Sequence, residues 1–159
     1  MVVRSRGRQA SIWVATVTVL VLVTAGCSDD DGGETGSDGA IEVTLQEFAV
    51  LPSPDSAPAG EVTFNVTNIG PEDVHEFVVF ATDLAPDALP TAPDGSVDET
   101  GEGVELIDEI EDIAVDATPT LTVTLDAGSY VLICNIVEEE GADTIVHYQQ
   151  GMRVGFTAE

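Results

Sequence analysis

The chain has 159 residues, enough for one ordinary domain, and its 30 acidic residues against four basic ones give a formal net charge of −26. A surface this acidic repels nucleic acid and anionic lipid headgroups, which excludes both as partners. Self-repulsion of this size is better tolerated where salt screens it. A salty habitat explains the charge most simply, and docking of a basic partner is the alternative.

The first 26 residues have the pattern of an export signal. Three arginines within the first eight residues precede an apolar run from Ile12 to Val23. The stretch ends Thr-Ala-Gly-Cys27, which resembles the lipobox of bacterial lipoproteins, although Thr24 stands where that motif more often has Leu. The resemblance implies that Cys27 is diacylated and anchors the exported protein to the outer face of the bacterial cell membrane. An ordinary secretory signal cleaved nearby is the alternative.

The segment after Cys27 is predicted to be a solvated tether. Residues 28–40 consist almost entirely of Gly, Ser, Thr and acidic residues and contain no large apolar side chain. The sequence therefore divides into a signal over 1–26, a tether over 27–40 and a domain over 41–159. Removal of the signal leaves Arg153 as the only basic residue. Lipidation of Cys27 leaves Cys134 as an unpaired thiol in an oxidising compartment, which requires an explanation.

From Ile41 onward, apolar residues alternate with polar ones, which predicts β-strands. Val74–Phe80 and Tyr130–Cys134 are apolar on both faces, which predicts central strands. At least six strands joined by short Pro- and Gly-containing turns predict an all-β sandwich, antiparallel or mixed. This pattern alone suits an immunoglobulin-like domain equally well.

One stretch, Asp83–Thr118, departs from the alternation. It begins as Pro-rich loop sequence and continues with apolar residues spaced among acidic ones over 104–113. This spacing predicts one short amphipathic helix, or loop turns laid over the sandwich.

The potential metal ligands of residues 28–159 form a small set, namely His75, Cys134, His147 and Met152. Two imidazoles, one thiolate and a weak axial thioether are the ligand set of a blue-copper electron-transfer site. Cys134 ends an apolar strand, and His147 and Met152 follow in the next connection. His75 begins a strand far upstream. The sequence predicts that these four residues bind one copper ion.

The same residues lie in segments that resemble plastocyanin- and pseudoazurin-like cupredoxins over nearly all of 41–159. The segments are Val43–Leu51, Pro58–Asn68, His75–Val79, Ala127–Asn135, His147-Tyr148 and Gly151-Met152. The resemblance implies a Greek-key β-sandwich or barrel and one-electron transfer through a type 1 copper site. It makes His75 the upstream imidazole, Cys134 the thiolate, His147 the loop imidazole whose exposed edge passes the electron, and Met152 the axial ligand.

Two features depart from the family pattern. Twelve residues separate Cys134 from His147 where the family has a few, and we expect the longer loop to leave the site more open. Its acidic run Glu138–Asp143 is interpreted as a solvated loop, with steering of a basic redox partner as the alternative. Glu76 follows the upstream His where the family often has an Asn that braces the loop beside the thiolate.

The sequence shows no nucleophile with a base beside it and no Gly-rich phosphate loop, so we expect no enzymatic activity. The main hypothesis is a membrane-anchored one-electron carrier with a protein redox partner. The alternatives are copper capture or delivery in the envelope without electron transfer, and a metal-free interaction module.

Overall fold

The computed structural model describes residues 39–159, and the signal, Cys27 and most of the tether lie outside this range. Residues 39–159 contain one short helix, and no helix in this range is long and apolar enough to cross a membrane. The elements in chain order are β1 (Ile41–Gln46), β2 (Ala49–Ser53), β3 (Ser56–Ala57), β4 (Gly60–Asn68), β5 (His75–Ala81), β6 (Glu105–Ile113), β7 (Thr120–Leu125), β8 (Gly128–Ile133), β9 (Val137–Glu140), β10 (Asp143–Val146), α1 (His147–Gln150) and β11 (Arg153–Ala158).

The strands form two main sheets and one separate hairpin. The first sheet has the order β2-β1-β4-β7, and the second has the order β3-β11-β8-β5-β6. Strands β1 and β4 pair in parallel, as do β3 and β11, whereas the other pairs are antiparallel. The predicted mixed all-β architecture is confirmed. Strands β9 and β10 pair only with each other.

The main core lies between the two sheets and follows from the alternation of apolar residues along the strands. Every second side chain of β4 points inward, so that Val62, Phe64 and Val66 are buried. The Phe64 ring packs against two rings of the second sheet, with centroid distances of 5.3 Å to Phe77 and 5.4 Å to Phe156. Such aromatic contacts add to the burial of apolar area and hold the sheets face to face.

The outer face of the second sheet is also covered, which explains the fully apolar strands. Val78 of β5 and Ile133 of β8 point away from the main core and are completely buried. Leu89 and Val97, from the loop between β5 and β6, pack over them. Strands β5 and β8 therefore occupy the central positions that their sequences predict.

The prediction of a short helix over 104–113 is wrong, because this segment forms the edge strand β6. Its pairing with β5 shifts register twice, between His75 and Phe77 and between Val79 and Phe80. Each shift places one extra residue of β6 opposite β5 and breaks the period of two. The resulting three-residue spacing of Ile107, Ile110 and Ile113 imitates that of a helix. The loop expected from Asp83 onward is present and covers the second sheet.

Candidate metal centre

Three potential ligand atoms meet at one end of the sandwich. The Nδ1 atoms of His75 and His147 lie 3.3 Å apart. The Sγ atom of Cys134 lies 3.8 Å from Nδ1 of His75 and 3.4 Å from Nδ1 of His147. All three side chains are completely buried. The structure thus brings together residues separated by up to 72 positions in the chain.

These distances fit one transition-metal ion. Metal–nitrogen bonds of about 2.0 Å and a metal–sulfur bond of about 2.3 Å, as at zinc, place two nitrogens about 3.5 Å apart and each nitrogen about 3.7 Å from the sulfur in a trigonal arrangement. The observed triangle has these dimensions to within a few tenths of an ångström. One ion can therefore contact all three atoms without movement of the backbone.

The fourth predicted residue, Met152, adjoins the same three. The backbone N–H of Cys134 donates to the carbonyl of Met152 at 3.1 Å, and the N–H of Met152 donates to the carbonyl of His147 at 3.1 Å. The Met152 side chain is fully buried in the same apolar cluster as Cys134. Gly151 precedes it with a φ of 130°, and a side chain there would approach the Phe48 carbonyl to 3.1 Å. Glycine is therefore required for the turn that delivers Met152.

The protonation properties of the site match a bound cation. Burial raises the pKa of the Cys134 thiol to about 12, although hydrogen bonds from the backbone of Glu76 and Ile136 oppose this rise. Burial lowers the pKa of His75, and repulsion from His147 lowers it further, which keeps that imidazole neutral. A neutral imidazole binds a metal directly, whereas the thiol needs a cation beside it to become a thiolate.

His75 is positioned by the turn before β5. The buried amide of Asn68 donates to the carbonyls of Asp73 and Ile113, both at 2.9 Å, and accepts from the N–H of Gly70 at 2.8 Å. The carboxylate of Glu47 accepts from the N–H of Glu72 at 3.1 Å and of Asp73 at 2.7 Å. These bonds satisfy polar groups that would otherwise lack partners and fix the point at which β5 begins.

The long connection between Cys134 and His147 is folded rather than loose. Strands β9 and β10 form a hairpin whose base is the pair Val137 and Val146. Directly below this base, the N–H of His147 donates to the carbonyl of Ile136 at 3.0 Å. The extra residues therefore extend away as a hairpin, and the chain beneath it returns to the site within a few residues of Cys134.

The site is closed, contrary to the expectation from loop length. His147 has no exposed surface, so the prediction of an exposed imidazole edge is wrong. The Phe48 ring meets the imidazole edge-on at a centroid distance of 5.1 Å. On the hairpin, Oε2 of Glu138 lies 3.6 Å from Nε2 of His147. The acidic run Glu138–Asp143 is therefore only partly a solvated loop, because Glu138 faces the site whereas Glu139 is exposed.

Glu76 braces the segment after Cys134, in the position where the family often has Asn. Its carboxylate accepts from the backbone N–H of Asn135 at 3.0 Å, and its own N–H donates to Sγ of Cys134 at 3.4 Å. Burial and the nearby Glu109, Glu99 and Glu111 raise the pKa of Glu76 to about 7, although the Asn135 bond opposes this rise. The Asn135 side chain in turn holds Val97, accepting from its N–H at 2.6 Å and donating to its carbonyl at 3.1 Å.

Three residues near the imidazoles were not predicted from the sequence, namely Glu47, Phe48 and Glu138. Glu47 and Phe48 lie between two short strands, in a segment whose sequence resembles a simple strand continuation. Glu138 belongs to an acidic run in a chain of acidic residues, so its charge carries no distinguishing signal. Only the insertion length between Cys134 and His147 indicated that an unusual element lies next to the site.

Comparison with known proteins shows the fold. No protein-family model matches the sequence, and no curated protein matches it significantly. Reduced auracyanin from the photosynthetic bacterium Roseiflexus castenholzii superposes with a TM-score of 0.51 at 22% identity, over 78% of this chain and 99% of auracyanin. A reduced rusticyanin superposes with a TM-score of 0.51 at 18% identity, over 78% of this chain and 82% of rusticyanin. Rusticyanin from Thiobacillus ferrooxidans gives 0.51 at 16% identity, over 77% and 79%.

These neighbours are cupredoxins, and the chain therefore has the cupredoxin fold that its sequence segments resemble. Identities of this size show the fold and do not by themselves assign an activity. The site adds a separate observation, because the buried His75, Cys134 and His147 with Met152 beside them fit a single type 1 copper centre. The structure thus shows a cupredoxin fold with a buried group of potential copper ligands.

Proposed function

We propose that this protein is a one-electron carrier that binds copper through His75, Cys134, His147 and Met152. The observation that carries the proposal is the triangle of two Nδ1 atoms and one Sγ atom, with sides of 3.3, 3.4 and 3.8 Å, in a fully buried pocket. Bound copper supplies a one-electron redox couple, and an N₂S triangle with a thioether beside it is the ligand pattern of blue-copper sites.

The protein contributes a frame that resists rearrangement. His75 is held by the start of a central strand, and Cys134 directly follows another central strand. Hydrogen bonds from Cys134 to Met152 and from Met152 to His147 join the other ligands in one short network. A ligand set fixed by packed strands moves little when the metal changes charge, and small movement favours rapid electron exchange.

Copper capture or delivery is the alternative function, and the burial of the site disfavours it. Release of an ion from ligands with no exposed surface requires the hairpin or the segment around Phe48 to move away. A metal-free interaction module is disfavoured by chemistry. It would leave a buried thiol and two buried imidazoles 3.3–3.8 Å from one another with no ion between them.

The test of copper binding is the optical and electron paramagnetic resonance spectrum of the Cu(II)-loaded protein. We expect an intense visible band from charge transfer between the thiolate and copper, together with a reversible one-electron wave in voltammetry. Cys134→Ala should abolish the band. A colourless protein, or one that binds copper identically without Cys134, would remove the basis for the four-ligand site.

We further propose that Cys27 is lipidated and holds the domain at the outer face of the cell membrane. There the domain exchanges electrons with a protein partner, and basic residues of this partner face the exposed acidic residues of the hairpin. Support comes from the signal pattern before Cys27 and from the exposed Glu139 and Asp143 on the hairpin that precedes His147. Cys27→Ala should move the protein from the membrane fraction to the soluble fraction of cells. Unchanged fractionation would contradict the anchor and leave the copper proposal intact.

A further inference from the structure

The outer nitrogens of both imidazoles face carboxylates. Nε2 of His147 lies 3.6 Å from Oε2 of Glu138, and Nε2 of His75 lies 3.8 Å from Oε1 of Glu47. Both Nε2 atoms are buried, and neither has a hydrogen-bond partner within residues 39–159. The arrangement is the same at both histidines, although the two carboxylates come from unrelated segments.

The proton positions follow from the triangle of donor atoms. A metal bound at Nδ1 of each histidine leaves the ring proton on Nε2, so both outer nitrogens become N–H donors. A buried N–H without an acceptor is energetically unfavourable. The facing carboxylates can serve as these acceptors, because a movement of less than 1 Å brings each into hydrogen-bond distance.

The position of Glu47 suits this role. Its Oε1 accepts from the backbone N–H of Asp73 at 2.7 Å and from that of Glu72 at 3.1 Å. These backbone bonds restrict where the carboxylate can go and keep it beside His75.

Asp73 adds a second carboxylate near His147. Its oxygen, one oxygen of Glu138 and one ring nitrogen of His147 lie within 4.8 Å of one another, which is also a spacing suited to a cation. With a metal on Nδ1, however, Nε2 carries a proton and acts as a donor. A second cation would have to displace that proton, whereas a hydrogen bond to Glu138 uses it. The geometry thus favours a donor–acceptor pair over a second metal.

We propose that Glu138 and Glu47 are positioning residues that hold the two copper-binding imidazoles by their outer nitrogens and lower the reduction potential of the site. The inference rests on the proposed copper function. A negative charge behind an imidazole makes the ligand more basic and stabilises Cu(II) more than Cu(I), because Cu(II) carries the larger charge. The β9–β10 hairpin then serves to deliver Glu138 to His147 and to exclude water from the pair.

The central experiment compares Glu138→Gln with Glu139→Gln in the full chain. Both substitutions remove one negative charge from β9, but Glu139 is exposed, and its carboxylate accepts from the Thr144 hydroxyl on the opposite strand of the hairpin. Loss of such a carboxylate typically costs tenfold or more in metal affinity. A tenfold loss of affinity for Cu(II), with the affinity for Cu(I) unchanged, raises the one-electron reduction potential by about 59 mV. We expect this rise for Glu138→Gln and a small fraction of it for Glu139→Gln.

A second readout follows the ring proton itself. In the diamagnetic Cu(I) protein, NMR should show the Nε2–H proton of His147 as slowly exchanging and shifted downfield, and Glu138→Gln should weaken both signatures. Equal potentials and equal proton exchange in the two variants would overturn the proposal. Because both variants retain Cys134, a blue spectrum with unchanged potential refutes only this inference, whereas a colourless wild-type protein refutes the copper function.

Two further variants separate the contributions of charge and hairpin. Glu47→Gln removes the charge but keeps an oxygen that can accept from the backbone N–H groups. We expect this variant to raise the reduction potential, and the rise should add to that of Glu138→Gln. Replacement of Glu138–Ile145 by Asn-Gly retains the base pair Val137 and Val146 and closes it with a two-residue turn. This shortened chain should show a potential at least as high as Glu138→Gln. A potential at or below that of the wild type would contradict the role of the hairpin.

Discussion

His75 and His147 reach the same environment by different structural routes. His75 begins a central strand, and the turn before it is fixed by the Asn68 amide and the Glu47 carboxylate. His147 follows a ten-residue hairpin insertion and begins a four-residue helix. Both imidazoles are nevertheless fully buried, turn Nδ1 toward Cys134 and face a carboxylate through Nε2.

The difference shows that a buried imidazole does not require a strand to hold it. At His75, hydrogen bonds of the Asn68 amide and the Glu47 carboxylate fix the turn that precedes β5. At His147 the fixing contacts are distributed, because Ile136, Phe48 and the hairpin each approach from a different segment. We therefore expect substitutions near His75 to act mainly on folding stability and those near His147 to act mainly on the site.

The largest expected effect concerns the His75 side. Asn68→Ala removes three hydrogen bonds in a buried turn, and at about 1 kcal/mol for each bond we expect a loss of about 3 kcal/mol in the free energy of unfolding. Asn65→Ala, on the outer face of the same strand, is the matched control. It removes two hydrogen bonds, to Glu42 and from Thr120, but both are exposed to water, so their loss should cost less than about 1 kcal/mol. Denaturant unfolding measures both. Equal losses would show that the turn does not depend on Asn68.

An intermediate effect on stability is expected at Glu76, which follows His75 and braces the segment after Cys134. Glu76→Ala leaves the N–H of Asn135 without its acceptor, which should cost about 1–3 kcal/mol in the free energy of unfolding. Glu76→Gln retains an acceptor oxygen and should recover most of this loss. If both variants lose the same stability, the charge of Glu76 rather than its hydrogen bond supports the segment after Cys134.

The smallest effect is expected on the His147 side. The Tyr148 hydroxyl donates to the carbonyl of Pro86 at 2.9 Å and accepts from the N–H of Leu89 at 3.2 Å, which ties α1 to the loop over the second sheet. Tyr148→Phe removes both bonds, and it should cost about 1–2 kcal/mol and alter the Cu(II) spectrum. Tyr130→Phe removes one bond, to the carbonyl of Asp126, and should leave the spectrum unchanged. A spectral change in Tyr130→Phe alone would reverse the comparison.

The sequence was informative where a local pattern controls the structure. Apolar residues on both faces correctly predicted β5 and β8 as central strands. The small number of His, Cys and Met residues, together with their order along the chain, predicted the group that the structure brings together. These features are readable because strand periodicity and ligand chemistry are properties of single residues and their neighbours.

The features that were not predicted depend on pairing between distant segments. Two register shifts against β5 gave β6 a helix-like spacing. The length of the Cys134–His147 connection suggested an open loop, because nothing in the sequence shows that Val137 pairs with Val146 and closes a hairpin. The contact between Glu138 and His147 follows from that closure and was hidden among many other acidic residues. The signal, the tether and Cys27 stay predictions.

X-ray absorption at the copper edge of the loaded protein tests the central claim most directly. Four ligands from His75, Cys134, His147 and Met152 predict two nitrogens at about 2.0 Å and one short sulfur at no more than about 2.3 Å, with any second sulfur long and weak. Copper surrounded only by oxygen and nitrogen, as binding to the carboxylates of Asp73 and Glu138 would give, would contradict the account.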